Sequence, residues 1–490
     1  MARATRGTRG TVSAASATAE RRPLPRGVVR NLSERFHALR KERRTAWTGT
    51  SSSSATTSAA SSSSSSGSST RGWRCSSSLG ERRATNELAS VSKPGGSLEE
   101  EEYVLACCEA EAGPLTVAVL VSGGVDSSVA LSLLKRAGHK LKAFYLQIWF
   151  EEAFDNYWGE CPWEDDLKYV KEVCEQAGVE LEVVPLTKEY WDMVVSYSIN
   201  EIKAGCTPNP DMMCNSKIKF GAFVDYLEAK YPTGTWDRVA SGHYARIRQT
   251  EGGERVLSMS RDERKDQTYF LASLRTDQLE RCMFPIGCFA KDEVRMLAQK
   301  FELATRDRKD SQGICFLGKV DFDEFIEKHL GTREGLFVED ETKEVMGKHR
   351  GYWFHTIGQR KGIGLSHGPW YVSSKDVENN IVYISKNYHN EVRERSSFLC
   401  SGFNWIAGIT APQAKGVLRC KVRHGPGMYE CKFTETEAGG MARVDIKGKD
   451  HGFAPGQYAV FYDDDICIGS AIIRSMPEPL ASKAPPRDVS

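Results

Sequence analysis

The feature that most constrains the fold is one strand, turn and helix string. Leu115, Val117, Val119 and Val121 alternate as an apolar strand, Ser122-Gly123-Gly124-Val125-Asp126-Ser127-Ser128 follows, and Val129, Leu131, Leu133 and Leu134 continue at helical recurrence. Glycines let backbone amides close on an anion, and a helix N-terminus favours negative charge. The string therefore predicts a phosphate cradle. It lacks the GK[ST] ending of a Walker A loop and the G-x-G-x-x-G spacing of dinucleotide folds. An ordinary βα turn capped by Ser or Asp is the competing reading.

Alternation of strand and helix continues beyond it. Strand candidates at 143 to 149 and 179 to 184 flank Leu167, Val170, Cys174 and Ala177 at helical spacing. A helical run at 191 to 203, the turn Thr207-Pro208-Asn209-Pro210-Asp211, a second run at 215 to 230 and a strand at 238 to 241 ending in Gly242-His243-Tyr244 come next. This order predicts an α/β fold with a parallel sheet, with ligands at the C-terminal strand ends. Past residue 331 the texture turns glycine-rich and β-like through 349 to 365 and 370 to 384. Leu418, Cys420 and Val422 then alternate with Arg419, Lys421 and Arg423, and short strands at 429 to 433, 442 to 446, 457 to 462 and 467 to 473 predict a small barrel or sandwich. The expected layout is a disordered segment over 1–98, a catalytic domain over 114–330, a central β-rich domain over 331–400, a barrel over 401–478 and a tail over 479–490. With His424, the residues Arg419, Lys421 and Arg423 make a basic stripe suited to phosphate, or simply a solvated face.

Composition narrows the function. At 490 residues and 40% hydrophobic content the chain can fill two or three cores. No run approaches the roughly 18 apolar residues of a membrane span, so no membrane partner is expected. The net charge of +1 conceals 17 Lys and Arg against 5 Asp and Glu in residues 1–98, leaving the remainder at −11. A nucleic-acid partner of that remainder needs a local basic patch. The first 98 residues hold 22 serines and little aliphatic periodicity, the composition of an organelle transit peptide or of a disordered basic tail. Fourteen cysteines without a CxxC argue against a disulfide framework or a zinc site of the usual spacing, and leave reactive thiols in a reducing compartment.

Two of those cysteines carry the resemblance. Ser122 to Ser128 resembles the loop of the PP-loop ATP pyrophosphatases. Asn209-Pro210-Asp211-Met212-Met213-Cys214-Asn215 and Asp310-Ser311-Gln312-Gly313-Ile314-Cys315-Phe316, with Ser241-Gly242-His243-Tyr244-Ala245-Arg246 and Lys265-Asp266-Gln267, resemble the tRNA-specific 2-thiouridylases. The likeness runs from about Val117 to Ile473, and the 149 to 166 insertion with Cys-Pro-Trp-Glu-Asp-Asp is similar to the plant and algal branch. Read from the residues alone, Cys214 follows a turn at a helix start, where the dipole favours thiolate, and Cys315 stands in a glycine-bearing loop able to meet a partner thiol.

The resemblance implies ATP-dependent 2-thiolation of uridine 34 in tRNA. ATP would be held by Leu120, Val121, Ser122, Gly123, Gly124, Val125, Asp126 and Ser127, with Gly242 and the backbone of Leu146 near adenine and Mg2+ on the phosphates. Leu146 stands where the bacterial pattern has Met. ATP would adenylate O2 of the base, and a persulfide on Cys315, loaded by a donor protein such as a cysteine desulfurase or relay, would deliver sulfur. Cys214 would be the partner nucleophile, either releasing hydrosulfide or resolving the intermediate, and a thiol reductant would reopen the resulting disulfide. Asp211 would be a general acid/base, or an Asx-turn residue. Asn209, Pro210 and Asp211 would touch the target base, and Lys265, Asp266, Gln267, Arg423 and His424 the tRNA, His424 replacing a bacterial Tyr. Trp353, Phe354 and His355 would stack on RNA or serve a core. An organelle, the chloroplast ahead of the mitochondrion, is the expected location. Rival readings are a PP-loop amide or guanidine synthetase acting on a metabolite and a non-catalytic tRNA-binding or iron-sulfur protein.

Overall fold

The computed structural model describes residues 107–148, 162–309, 322–388, 395–406, 408–414, 416–436, 440–450 and 453–475. The expected transit segment over 1–98, the 479–490 tail, the 149 to 161 part of the insertion and the string 310 to 321 lie outside the described residues.

Strands β1 (Thr116–Leu120), β2 (Lys140–Gln147), β3 (Leu181–Pro185), β4 (Arg238–Ala240) and β7 (Cys282–Met283) form a parallel sheet in the order β3-β2-β1-β4-β7. Strand alternation gives it two buried faces. Val117, Val119, Ala143 and Tyr145 pack on one side with α1 (Val125–Arg136), α2 (Pro162–Ala177) and α6 (Lys291–Lys300). Ala118, Leu120, Phe144 and Val184 pack on the other with α3, over 187–203, and α4, over 210–230. A short α5 (Thr276–Arg281) precedes β7.

Helix α7 (Phe322–Leu330) leads to a four-stranded sheet ordered β10-β11-β8-β9, from β8 (Gly335–Glu339), β9 (Val345–His349), β10 (Tyr371–Asp376) and β11 (Ile381–Ser385). The stretch 349 to 365, read as β-like, is mostly turn after β9, because glycines at positive φ (Gly351, Gly358, Gly362, Gly364) break it. Phe354 and His355 are buried there, so the core role holds for both.

β12 (Arg395–Trp405), β15 (Met441–Asp450), β14 (Tyr429–Glu435), β13 (Leu418–Lys421), β16 (Tyr458–Asp463) and β17 (Ile466–Ser475) close into a six-stranded barrel through the β12 to β17 pairing. Its first strand starts at Arg395, ahead of the expected boundary at 401. The hairpin β5 (Ala245–Gln249) and β6 (Arg255–Met259) of the first domain adds to the barrel wall, Cys467 pairing with Leu257. Tyr458, Val460 and Tyr462 of β16 accordingly share a core with α3 and α4.

Candidate active site

Sheet order places the site. The chain runs from β1 outward to β2 and β3, then returns to β4 on the other side of β1, so β1 and β4 flank the switch point where parallel sheets bind ligands. Ser122–Ser128 leaves β1 there, and Gly242 leaves β4. A Cβ on Gly242 would lie 2.6 Å from the Ser127 nitrogen, so only glycine lets the two loops meet. Ser127 Oγ accepts from the Ser122 amide (3.2 Å) and donates to the Gly124 carbonyl (3.1 Å), closing the loop on itself. The first amides of α1 have no carbonyl of their own helix to bond, which fits an oxyanion. Leu120 and Val121 are buried beneath the loop, Gly123, Val125 and Ser127 are buried, and Ser122 is exposed at its rim. Leu146, at the adjacent end of β2, is half-buried.

Four residues outside the loop complete the cradle. Lys291, first in α6, holds both Asp126 oxygens at 2.8 and 3.0 Å, and the Tyr244 hydroxyl donates to the same carboxylate at 2.9 Å. Arg308 donates to the Gly123 carbonyl at 2.7 Å and pairs with Asp166 at 2.8 Å. Tyr244 and Asp166 stood in quoted strings, Asp166 as the last residue of the Cys-Pro-Trp-Glu-Asp-Asp insertion, though neither was read as part of the cradle. The others come from distant elements, where a lone Lys or Arg carries no local signal.

The second part of the site is the segment before α4. Asn209 caps the helix, its side chain accepting from the Met212 amide at 3.2 Å, with Pro210 first in the helix. The helix thus starts at Pro210, not at Asn215, and the cap is Asn209, so Asp211 is not the Asx-turn residue. Cys214 lies a full turn inside and is 1% exposed, buried rather than at the helix mouth. Over Cys214–Ala222 the helix widens to i→i−5 bonding, Phe223 donating to Ile218. Gln278 of α5 donates to the carbonyls of Ser216 (2.9 Å) and Phe220 (2.8 Å) beside that widening. The barrel holds the approach: Gln457 donates to the carbonyls of Thr207 and Pro208, and Thr207 donates to Pro455. Tyr352 of the central domain donates to Lys203.

The residues expected to contact RNA divide. His424 packs its ring 4.6 Å from Phe270, whose carbonyl accepts from Asn215. Partial burial lowers the His424 pKa against the opposing pull of Asp266 and Asp211. Lys265 is exposed. Gln267 is half-buried and accepts from the Tyr244 amide at 2.9 Å. Asp266 contradicts its expected role: it is 2% exposed and accepts from the Ser260 amide and the Thr268 hydroxyl. The basic stripe also fails as a surface, since Lys421 points inward to Asp266. Arg423 remains half-exposed, bonded to buried Asp450 at 2.7 Å.

Three family models match in succession: the tRNA methyl transferase HUP domain over residues 115–319, the tRNA methyl transferase PRC-barrel domain over 323–386 and the aminomethyltransferase beta-barrel domain over 395–473. The tRNA-specific 2-thiouridylase MnmA of Parabacteroides distasonis is 45% identical over 366 residues, covering 73% of this chain and 99% of that protein. Its namesake from Porphyromonas gingivalis is 43% identical over 367 residues with the same coverage. MnmA 1 of Bacteroides thetaiotaomicron is 45% identical over 364 residues, again with the same coverage. The chain belongs to the tRNA-specific 2-thiouridylase family. Within this 2-thiouridylase the second cysteine of the resemblance, Cys315, lies outside the described residues. A thiol pairing the sequence did not suggest joins Cys107, ahead of β1, to Cys288, three residues before Lys291. Among the described residues no cluster of three or more His, Cys, Asp or Glu is arranged for a metal, and no helix is long and apolar enough to cross a membrane.

Proposed function

We propose that the protein 2-thiolates uridine 34 of tRNA in an ATP-dependent reaction. The observation that carries the reading is the convergence of a phosphate cradle at the β1/β4 switch point with a buried cysteine helix whose approach is held by all three domains, in a chain 45% identical to proteins named 2-thiouridylases. Mass spectrometry of tRNA nucleosides with and without the protein tests it. Loss of 2-thiouridine on depletion is the expected result. Unchanged 2-thiouridine would favour a metabolite ligase or a silent tRNA-binding protein.

In this reading the loop from Leu120 to Ser127 binds the triphosphate, while Gly242 and Leu146 border the base. Lys291 brings positive charge to the leaving pyrophosphate. Mg2+ would be held chiefly by the phosphates, with Asp126 the loop's own carboxylate toward it, and would neutralise charge on the transferring phosphates. The uridine O2 displaces pyrophosphate from the α-phosphorus, and AMP then leaves C2 as sulfur arrives. The sulfur comes from a persulfide on Cys315. Cys214 attacks Cys315 either before transfer, freeing hydrosulfide, or after it, freeing the thiolated base. Both routes end in a Cys214 to Cys315 disulfide, which a dithiol reopens with two electrons. Asp211 exchanges the proton at the base, and Asn209, His424, Arg423 and Lys265 border the RNA.

The donor is a persulfide-bearing protein of the cysteine desulfurase or relay class. The basic, serine-rich residues 1–98 act as an organelle-import segment, the chloroplast ahead of the mitochondrion. Deleting them is expected to abolish import and spare activity of the purified enzyme; lost ATP-dependent chemistry in the truncated enzyme would contradict this.

A further inference from the structure

We infer that Arg308 is a positioning residue for the nucleotide: by holding the Gly123 carbonyl it aims the Gly124 amide at the phosphates. The inference rests on the ATP reading above.

A trans peptide is planar, so the carbonyl of one residue and the amide of the next point in opposite directions. Arg308 Nη1 donates to the Gly123 carbonyl at 2.7 Å, on the side of the loop that faces Asp166. The Gly124 N–H is thereby turned the other way. Gly124 is the residue immediately before α1, so that amide joins the unsatisfied donors of the helix start, where an anion binds. Without the arginine no side-chain bulk of its own restrains the Gly123-Gly124 peptide, because neither glycine carries a Cβ, and Gly123 sits at φ +74°.

The guanidinium is itself fixed. Its Nη2 pairs with Asp166 Oδ1 at 2.8 Å, and its carbon lies 4.4 Å from the Tyr169 ring centre, both partners on α2. The Arg308 amide donates to the Thr305 carbonyl at 3.0 Å. A Cβ on Gly123 would come within 2.7 Å of the Asp166 carbonyl and 3.0 Å of Arg308 Nη1, so the loop and its clamp are packed to contact. Arginine suits the task because its planar fork serves one carbonyl and one carboxylate at once, whereas a lysine ammonium has no such fixed geometry. The assignment makes three residues, 185 positions apart at the extreme, into one device: Asp166 orients Arg308, and Arg308 orients the loop.

The test uses the full-length protein and three variants, Arg308→Gln, Arg308→Lys and Asp166→Asn, with ATP affinity by calorimetry, ATP KM and kcat for pyrophosphate release, and tRNA affinity by filter binding. Arg308→Gln is expected to weaken ATP binding about 10- to 100-fold, the range of one charge-assisted hydrogen bond. Its kcat at saturating ATP should fall far less than its KM rises. Arg308→Lys should stay weakened by at least about threefold although it keeps the charge, and Asp166→Asn should be weakened in the same sense but less. All three should bind tRNA normally. ATP affinity of Arg308→Gln within twofold of wild type would overturn the proposal, and so would full rescue by Arg308→Lys, which would leave charge rather than aim as the cause. Should Arg308→Gln fail to fold, Asp166→Asn decides: weakened ATP binding supports the device and unchanged binding overturns it. Absence of ATP binding by the wild type would instead bring down the nucleotide reading itself.

Discussion

Lys421 of the barrel and Asp266 of the catalytic domain face one another at 3.6 Å with their side chains 4% and 0% exposed. Asp266 also accepts from Ser260 and Thr268, and the Thr268 hydroxyl lies 3.1 Å from that of Tyr462 on β16. The pair is therefore a buried lock between two domains. Removing one partner leaves the other a buried charge without its counter-ion, at a cost of about 3–5 kcal/mol. Lys421→Met is expected to lower unfolding stability by that amount, measured in denaturant, and Lys421→Met with Asp266→Asn should recover part of it. Equal stability of Lys421→Met and wild type would show that the pair contributes no interdomain stability.

Asp126 joins the phosphate loop to Lys291 and Tyr244. Asp126→Ala or Ser127→Ala should cut pyrophosphate release about 10²- to 10³-fold, the range for losing one preorganised electrostatic group. The RNA-facing residues lie on other elements, so tRNA affinity in filter binding should stay within twofold. A collapse of tRNA affinity would contradict separate sites.

Acid should destabilise the central domain through His355. Burial, with the charges of His349, Lys375 and Arg350, pushes its pKa down to about 4. The folded state then binds the proton less readily than the unfolded one, whose histidine titrates near 6.5. Stability from this group is complete above pH 6.5 and falls as pH drops toward 4, by about 3 kcal/mol in all. His355→Phe should flatten the stability profile in that window, read by denaturant midpoints at pH 7, 5.5 and 4.5. An unchanged slope would remove His355 as its source.

Cys107 and Cys288 close a loop of 181 residues across the parallel domain. Peptide mapping without reductant should recover the crosslinked pair, and Cys288→Ala should cost about 2–4 kcal/mol under oxidising conditions and nothing under reducing ones. Recovery of both thiols unpaired from the oxidised protein would contradict the pairing.

The parallel sheet was legible because alternation and helical recurrence are local: β1, α1 and the strands of the barrel after 418 all stand close to their expected places. The loop from Ser122 to Ser128 and the Asn209 to Cys214 segment were legible because turn residues at fixed spacing carry their own geometry. Lys421 was misread because strand alternation assigns opposite faces but cannot tell that both are covered; the domain carrying Asp266 packs on the outer one. The roles of Lys291, Arg308 and Asp166 were invisible for a related reason, since each acts through a contact made more than a hundred residues away. The hairpin of β5 and β6 escaped notice because its polar residues, Arg246 and Arg248, pair with Asp465 of the barrel rather than with anything near them in sequence.

The central claim is that adenylation needs only the ATP site, whereas sulfur delivery needs both cysteines. It is tested most directly by following pyrophosphate and 2-thiouridine together, using the purified enzyme, ATP, unmodified tRNA and a persulfide donor, in wild type, Cys214→Ser and Cys315→Ser. Both variants should release pyrophosphate and form no 2-thiouridine over multiple turnovers. Cys214→Ser should carry a persulfide on Cys315, and Cys315→Ser should carry none. Wild type without reductant should stop after about one turnover with Cys214 and Cys315 crosslinked. Full multiple-turnover thiolation by either serine variant would contradict the relay.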